Sequence, residues 1–185
     1  MPETRIKITG FGGQGVVLAG IILGRAACLH DGKNAAQTQS YDPEASGGAA
    51  RSEVVISEAE IDYPKVERAD ILVAMSQEAL NRHLGTLKDS GILLIDDGLV
   101  KEVPEDVRAS LYRIPATRVA SEDLGRRIVA NMVMLGAIVG VARVVSEEAL
   151  KAAVEESVPR GTEELNIAAV ERGLSLVRAA TKGTA

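Results

Sequence analysis

The sequence predicts an α/β fold: a Rossmann-like three-layer α/β/α sandwich with a mostly parallel sheet and a run of C-terminal helices. Three observations carry that prediction. A glycine-rich loop, Gly10-Phe11-Gly12-Gly13-Gln14-Gly15, joins a strand-like segment to a helix-like one. Short apolar runs of buried-strand length then alternate with helical stretches. Beyond about residue 121 the chain is wholly helical in its periodicity. With 185 residues, 46% of them hydrophobic, the chain can bury a substantial core, and it is read as a single domain over 1–185 with a helical tail over about 121–180.

Each element has its own justification. Residues 5–9 alternate polar and apolar side chains as a strand does, and apolar residues at helical spacing follow the glycine loop as far as His30. Gly32 is placed to stop that helix, and 34–39 reads as a second strand, completing a strand–helix–strand unit. Residues 40–48, Ser-Tyr-Asp-Pro-Glu-Ala-Ser-Gly-Gly, carry Asp-Pro and Gly-Gly breakers and are expected to form an exposed loop. Residues 52–56 are rich in β-formers, and a polar turn to Ile61 predicts a hairpin-like return ending at Pro64. Strands at 70–75 and 91–95 flank a helix that Ser76 would cap and Gly85 would end. A last strand at 111–114 precedes three helices, with Ser121, Ser146 and Thr162 standing before acidic residues as N-caps. The 100–106 stretch around Pro104 is too short to divide domains.

Composition excludes several functions. A net charge of −5 leaves no basic footprint for nucleic acid, and the Arg126-Arg127 pair is read as a solvated helix face. Phe11, Tyr41, Tyr63 and Tyr112 are all the aromatics, too few for a base-stacking platform. Cys28 is the only cysteine, so the chain by itself makes no disulfide, no cysteine-rich zinc site and no four-thiolate cluster, and any redox metal must lie on a partner. The apolar run 128–142 is shorter than the roughly 20 residues a membrane span needs. Residues 16–23 follow a charged strand and a glycine loop rather than a basic leader, so no targeting segment is read and the cytoplasm is expected.

Gly10, Gly12 and Gly15 fit G-x-G-x-x-G, where absent side chains allow a tight turn and let backbone N–H groups approach an anion. A dinucleotide site also requires an acidic residue near the end of the second strand, but Gln37-Thr38-Gln39-Ser40 stands there, which weakens an NAD or FAD reading. Two readings of the loop stay open: Gly10, Gly12, Gly13, Gln14 and Gly15 contact a cofactor, or they only shape the turn, with Gln14 capping its own loop. Tyr41, Asp42, Glu44, Gly47 and Gly48 form a candidate substrate or interface loop, against the alternative of a plain connection. Asn131 interrupts an apolar helix and is read as a structural amide tethering a neighbouring loop. Met132 and Met134 read as core, Cys28 as an inert core thiol, and His30 and His83 as incidental. No catalytic constellation and no metal-binding set are found.

Taken together, the glycine-glutamine loop, the segment from Gln39-Ser40-Tyr41 to Gly47-Gly48, the pair Asn131-Met132 with Leu135-Gly136, and Asn166, Ala169 and Gly173 resemble the gamma subunits of 2-oxoacid:ferredoxin oxidoreductases. The resemblance runs from about Arg5 to Gly173. Two positions depart from it: the family loop often reads Tyr-Gly-x-Glu-x-Arg-Gly-Gly, whereas Asp42 and Ser46 stand at the glycine and arginine positions here, with Arg51 close enough in sequence to substitute. The resemblance implies oxidative decarboxylation of a 2-oxoacid with coenzyme A (CoA) to an acyl-CoA, within an assembly of alpha and beta subunits, with or without a delta subunit, and ferredoxin as electron acceptor. Thiamine diphosphate with magnesium and iron–sulfur clusters would be carried by the companion subunits and none by this chain alone. This domain would help cover the active site, with the glycine loop as candidate contact for CoA. The 40–57 region looks most like the 2-oxoglutarate enzymes, ahead of the pyruvate and branched-chain ones. A stand-alone nucleotide-binding module, sensor or scaffold, is the alternative.

Overall fold

Alternation at the start of the chain produces β1 (Thr4–Phe11), with Ile6 and Ile8 directed into one apolar cluster and Lys7 into a polar one on the other side. The computed structural model describes residues 3–41 and 48–182. After the glycine loop comes α1 (Val16–Arg25), which widens into a π-helical turn at Ala26–His30, where the Asp31 N–H donates to the Ala26 carbonyl. That wider turn breaks the 3.6-residue period, and it leaves Cys28 exposed rather than in the core its spacing predicted. Gly32, at φ 65°, ends the helix as expected, with the Lys33 N–H reaching back to the Ala27 carbonyl.

The six strands lie in the order β2-β3-β1-β4-β5-β6, where β2 is Asn34–Tyr41, β3 Ala49–Ser57, β4 Ala69–Ala74, β5 Leu87–Asp96 and β6 Ser110–Ile114. The β1–β4, β4–β5 and β5–β6 pairs are parallel, and β3 is antiparallel to both β1 and β2. The expected strand–helix–strand unit is present, but β3 is inserted between its two strands. This corrects the hairpin predicted for 52–64: the return strand is β3 itself, folded back on β2, and 58–64 forms no strand. Both edges of β3 are already paired, so no ladder remains for the following segment. Carbonyls of Tyr63 and Lys65 accept hydrogen bonds from the Arg5 guanidinium instead.

Helix α2 (Gln77–His83) is capped by Ser76, whose hydroxyl accepts from the Ala79 N–H at 3.1 Å, and a 3₁₀ turn containing Gly85 finishes it. The three-residue α3 (Ala116–Arg118) runs into a second π-helical turn, and Ser121 lies inside that turn rather than capping a helix. Gly125, at φ 71°, with the Arg126 N–H bonded to the Ala120 carbonyl, closes that turn. The long helices therefore begin later, with α4 (Ala130–Ala142), α5 (Glu147–Ser157, capped by Ser146) and α6 (Glu163–Lys182).

Helices α1, α4, α5 and α6 bury one face of the sheet through Ile6, Ile8, Val54, Val73 and Leu94. Glycines let backbones meet there. A Cβ on Gly136 of α4 would lie 2.1 Å from the Val170 carbonyl oxygen, and one on Gly173 of α6 would lie 1.9 Å from that of Val133, so the two helices cross in direct backbone contact. Gly20 lets α1 approach β3 in a different way, leaving room for the Ser52 side chain, whose hydroxyl a Cβ there would strike. The opposite face is covered by α2 and by irregular segments bearing Val66 and Val100, which form the thinner third layer over Val55, Leu72, Leu93 and Ile95.

Where that layer crosses β1 and β3, the burial is ionic. Glu53 accepts from the Val66 N–H at 3.0 Å and pairs with Arg51 at 3.3 Å and Lys7 at 3.9 Å, while Lys7 also reaches the Thr86 hydroxyl. Burial pulls the Lys7 pKa down, with Glu53 opposing the shift. His83 packs beside this group, and burial together with the positive charges of Lys7, Arg51 and Arg82 lowers its pKa to about 4.

Candidate functional site

At the carboxyl end of β1 the chain must turn sharply into α1, and the glycines allow it. Gly13 and Gly15 both adopt positive φ, 87° and 74°, where a side chain is strained. Gly12 donates its N–H to the Gly48 carbonyl at 2.8 Å, joining the loop to the chain entering β3. Gln14 folds back over Gly10: its Oε1 accepts from the Phe11 N–H at 2.6 Å and its Nε2 donates to the Met75 carbonyl at 2.9 Å. A Cβ on Gly10 would lie 2.4 Å from that Oε1. The connections leave β1 toward β2 and β4 toward β5, so the β1–β4 gap is the point at which doubly wound sheets usually receive a nucleotide. Here the Gln14 amide bridges it.

The open space lies on the other side of the loop. A pocket of about 570 Å³ is bounded by the starts of α1, α4 and α6 and by the ends of β1 and β2. Its walls are mostly apolar, including Val17, Ile21, Met132 and Leu165, with Thr162, Asn166 and Arg126 as polar groups. Phe11, Tyr41 and Ile128, which are 38%, 59% and 69% exposed, also line it. Neither α1 nor α4 has an acidic residue in its first turn, and both first turns line the pocket. However, α4 continues a 3₁₀ turn over Arg127–Val129, so its leading N–H groups at Ala130 and Met132 are already bonded, to the Arg127 carbonyl and to Asn131 Oδ1. Arg126 has no ion-pair partner among the described residues.

Asn131 ties the pocket floor together. Its Nδ2 donates to the Gly15 carbonyl at 3.1 Å and its Oδ1 accepts from the Met132 N–H at 2.9 Å. A second, smaller cavity of about 280 Å³ lies beside Gln14, Thr117 and Arg127. Behind it Asp96, fully buried at the end of β5, accepts from the backbone N–H and the hydroxyl of Thr117. Burial raises the Asp96 pKa, against these hydrogen bonds and the charge of Arg127.

The structure thus brings Gly13, Gly15, Tyr41 and Asn131 to one pocket and places Gln14 behind the loop. It separates Arg51 from them. Strand alternation turns Arg51 onto the ionic face, against Glu53, whereas its neighbour Ala50 lines the pocket with Tyr41. Asp42, Glu44, Ser46 and Gly47 lie outside the described residues. Arg126, read in sequence as a solvated helix face, Ile128, read as the start of an apolar helix, and Thr162, read as an N-cap, also line the pocket. The signal available for Arg126 was a cation just ahead of an apolar helix whose first turn lacks any acid. Among the described residues, no helix is long and apolar enough to cross a membrane.

Comparison with known proteins identifies the family and the fold. Residues 5–176 match the pyruvate ferredoxin/flavodoxin oxidoreductase family. The chain belongs to that family. It is 54% identical over 177 residues to 2-oxoglutarate synthase subunit KorC of Methanothermobacter marburgensis, covering 93% of this chain and 95% of that protein. The KorC of Methanocaldococcus jannaschii is 51% identical over 175 residues, covering 94% and 93%. Among family structures, the gamma subunit of the keto/oxoacid ferredoxin oxidoreductase from Geobacter sulfurreducens superposes with a TM-score of 0.86 at 42% identity, over 95% of this chain and 99% of that one. The α/β fold is therefore the fold of the family's gamma subunit. In this fold Gly136 and Gly173 serve the α4–α6 crossing, and Asn131 serves the glycine loop.

Proposed function

We propose that the chain is the gamma subunit of a 2-oxoglutarate:ferredoxin oxidoreductase of the cytoplasm, which converts 2-oxoglutarate and CoA to succinyl-CoA and carbon dioxide and passes the electrons to ferredoxin. Identity of 54% over nearly the whole length of a 2-oxoglutarate synthase subunit carries this reading. Alpha and beta subunits, with or without a delta subunit, complete the assembly. They bring the thiamine diphosphate, its magnesium and the iron–sulfur clusters, since one cysteine cannot ligate a cluster. This chain's part is to cover the active site and receive CoA in the pocket beside the glycine loop. The pocket suits such a co-substrate: apolar walls for its extended arm, and Arg126 with the start of α1 for its phosphates. The stand-alone nucleotide module finds no support in the site, because the Gln14 amide bridges the nucleotide crevice and β3 separates β2, where a ribose-binding acid would stand, from β1.

The test is an anaerobic pull-down of the tagged chain from its host, followed by assay with 2-oxoglutarate, pyruvate and CoA. Cluster-bearing partners and 2-oxoglutarate-dependent ferredoxin reduction are expected. A chain recovered alone, or one reducing ferredoxin only with pyruvate, rejects the assignment. In the same preparation Arg126→Ala should raise KM for CoA about tenfold, the equivalent of one hydrogen bond to a charged group, and leave KM for 2-oxoglutarate unchanged.

A further inference from the structure

One side chain joins the two helix starts that face the pocket. Asn131 is 96% buried by its 4% exposure, on the first turn of α4, and among the described residues its amide makes the one side-chain hydrogen bond between the glycine loop and that helix. The Gly15 carbonyl that receives Nδ2 is also the first acceptor inside α1, bonded to the Ala19 N–H at 3.0 Å. Its partner atom Oδ1 holds the Met132 N–H, one of the donors at the start of α4. A single amide therefore fixes the first peptide of one helix against the first turn of the other.

The fit is steric as well as polar. Gly15 is left-handed, and a Cβ there would lie 2.3 Å from Asn131 Nδ2, so the contact exists only because position 15 has no side chain. Moving Asn131 would let the loop relax, separate the two helix starts and turn the amides at the start of α1 away from the pocket.

We propose that Asn131 is a positioning residue for CoA: it sets the spacing and direction of the α1 and α4 starts, and CoA affinity depends on it while the chemical step does not. The inference rests on the reading that this pocket receives CoA. It assigns to the α4 amide a role distinct from that of Arg126, which would meet the phosphates directly.

The experiment uses the assembled enzyme with Asn131→Leu, which keeps the branched shape and removes both hydrogen bonds, and with Asn131→Ala, which removes them without adding volume or charge. Two readouts are taken: steady-state kinetics with CoA and 2-oxoglutarate varied separately, and amide hydrogen exchange at residues 14–18. The expected result in both variants is faster exchange of that segment and a KM for CoA raised roughly tenfold, with KM for 2-oxoglutarate and kcat at saturating CoA unchanged. Unchanged exchange overturns the positioning role itself. Faster exchange with an unchanged KM for CoA overturns its link to CoA, and the Arg126→Ala enzyme then separates the causes: if its KM for CoA is also unchanged, the CoA reading of the pocket has failed. If Asn131→Leu does not assemble, Asn131→Ala alone decides.

Discussion

The two faces of the sheet are buried by different physics. On the helical face, contact depends on shape: Gly136 and Gly173 bring two backbones, and Gly20 a backbone and the Ser52 side chain, within a distance that any further side chain would block, and Ile6, Ile8, Val54, Val73 and Leu94 lie beneath. On the opposite face, over β1 and β3, contact depends on charge: Glu53 is held between Lys7, Arg51 and the Val66 N–H, with His83 kept neutral beside them. The first face should respond to added volume and ignore pH. The second should do the reverse. The pocket opens beside the shape-dependent face, where the α1, α4 and α6 starts are fixed by close packing.

The largest expected effect comes from Gly136→Ala. The added methyl meets the Val170 carbonyl, a backbone atom that cannot swing aside, so the crossing must open at a cost of about 3 kcal/mol or more. Poor recovery of assembled enzyme and a lowered thermal midpoint should result. A normal midpoint would mean that α4 and α6 can slide apart freely and that the contrast between the faces is overstated.

Next is the pH response. The unfolded chain protonates His83 near 6.5, whereas the folded chain resists until about 4, so the group's contribution falls as pH drops through that window and changes no further below it. Between pH 7 and pH 5 this amounts to on the order of 1–2 kcal/mol. Comparison of the denaturant midpoint of the subunit with that of His83→Gln should show a smaller loss in the variant over the same range. Equal losses would assign the acid sensitivity to other groups.

The smallest effect should be that of Gly12→Ala. Its Cβ would sit 3.4 Å from the Gly48 carbonyl, an ordinary contact, so stability should change by no more than about 0.5 kcal/mol. A large drop in the thermal midpoint would show that the loop is as tightly packed as the helix crossing.

Much of the fold was legible because its signals are local. Ser76 and Ser146 cap helices, Gly32 ends one, and the apolar runs at β4 and β5 are strands. The insertion of β3 was not legible, because strand order depends on contacts between distant residues and a buried run reads alike whichever neighbours it takes. Cys28 was misplaced because a π-helical turn shifts the helical period without a distinctive composition. His83 looked incidental in sequence, since only tertiary packing sets Lys7 and Arg51 beside it. For the site, the sequence singled out Gly15 and Asn131 separately; that they touch is a property of the folded chain. Arg126 was passed over as a solvated charge because a basic pair at a helix start has the same appearance whether it faces bulk water or a pocket.

The Gln14 bridge bears on how such a domain could be repurposed. A nicotinamide site in a doubly wound domain needs an acidic residue after the second strand to hold the ribose. In this chain Asp42 already follows β2 in sequence, yet the diphosphate would still lack a berth, because an amide stitches β1 to β4 across the place where it would lie. The stitch would have to be cut first, and cutting it frees the Phe11 N–H and the Met75 carbonyl at the root of the loop.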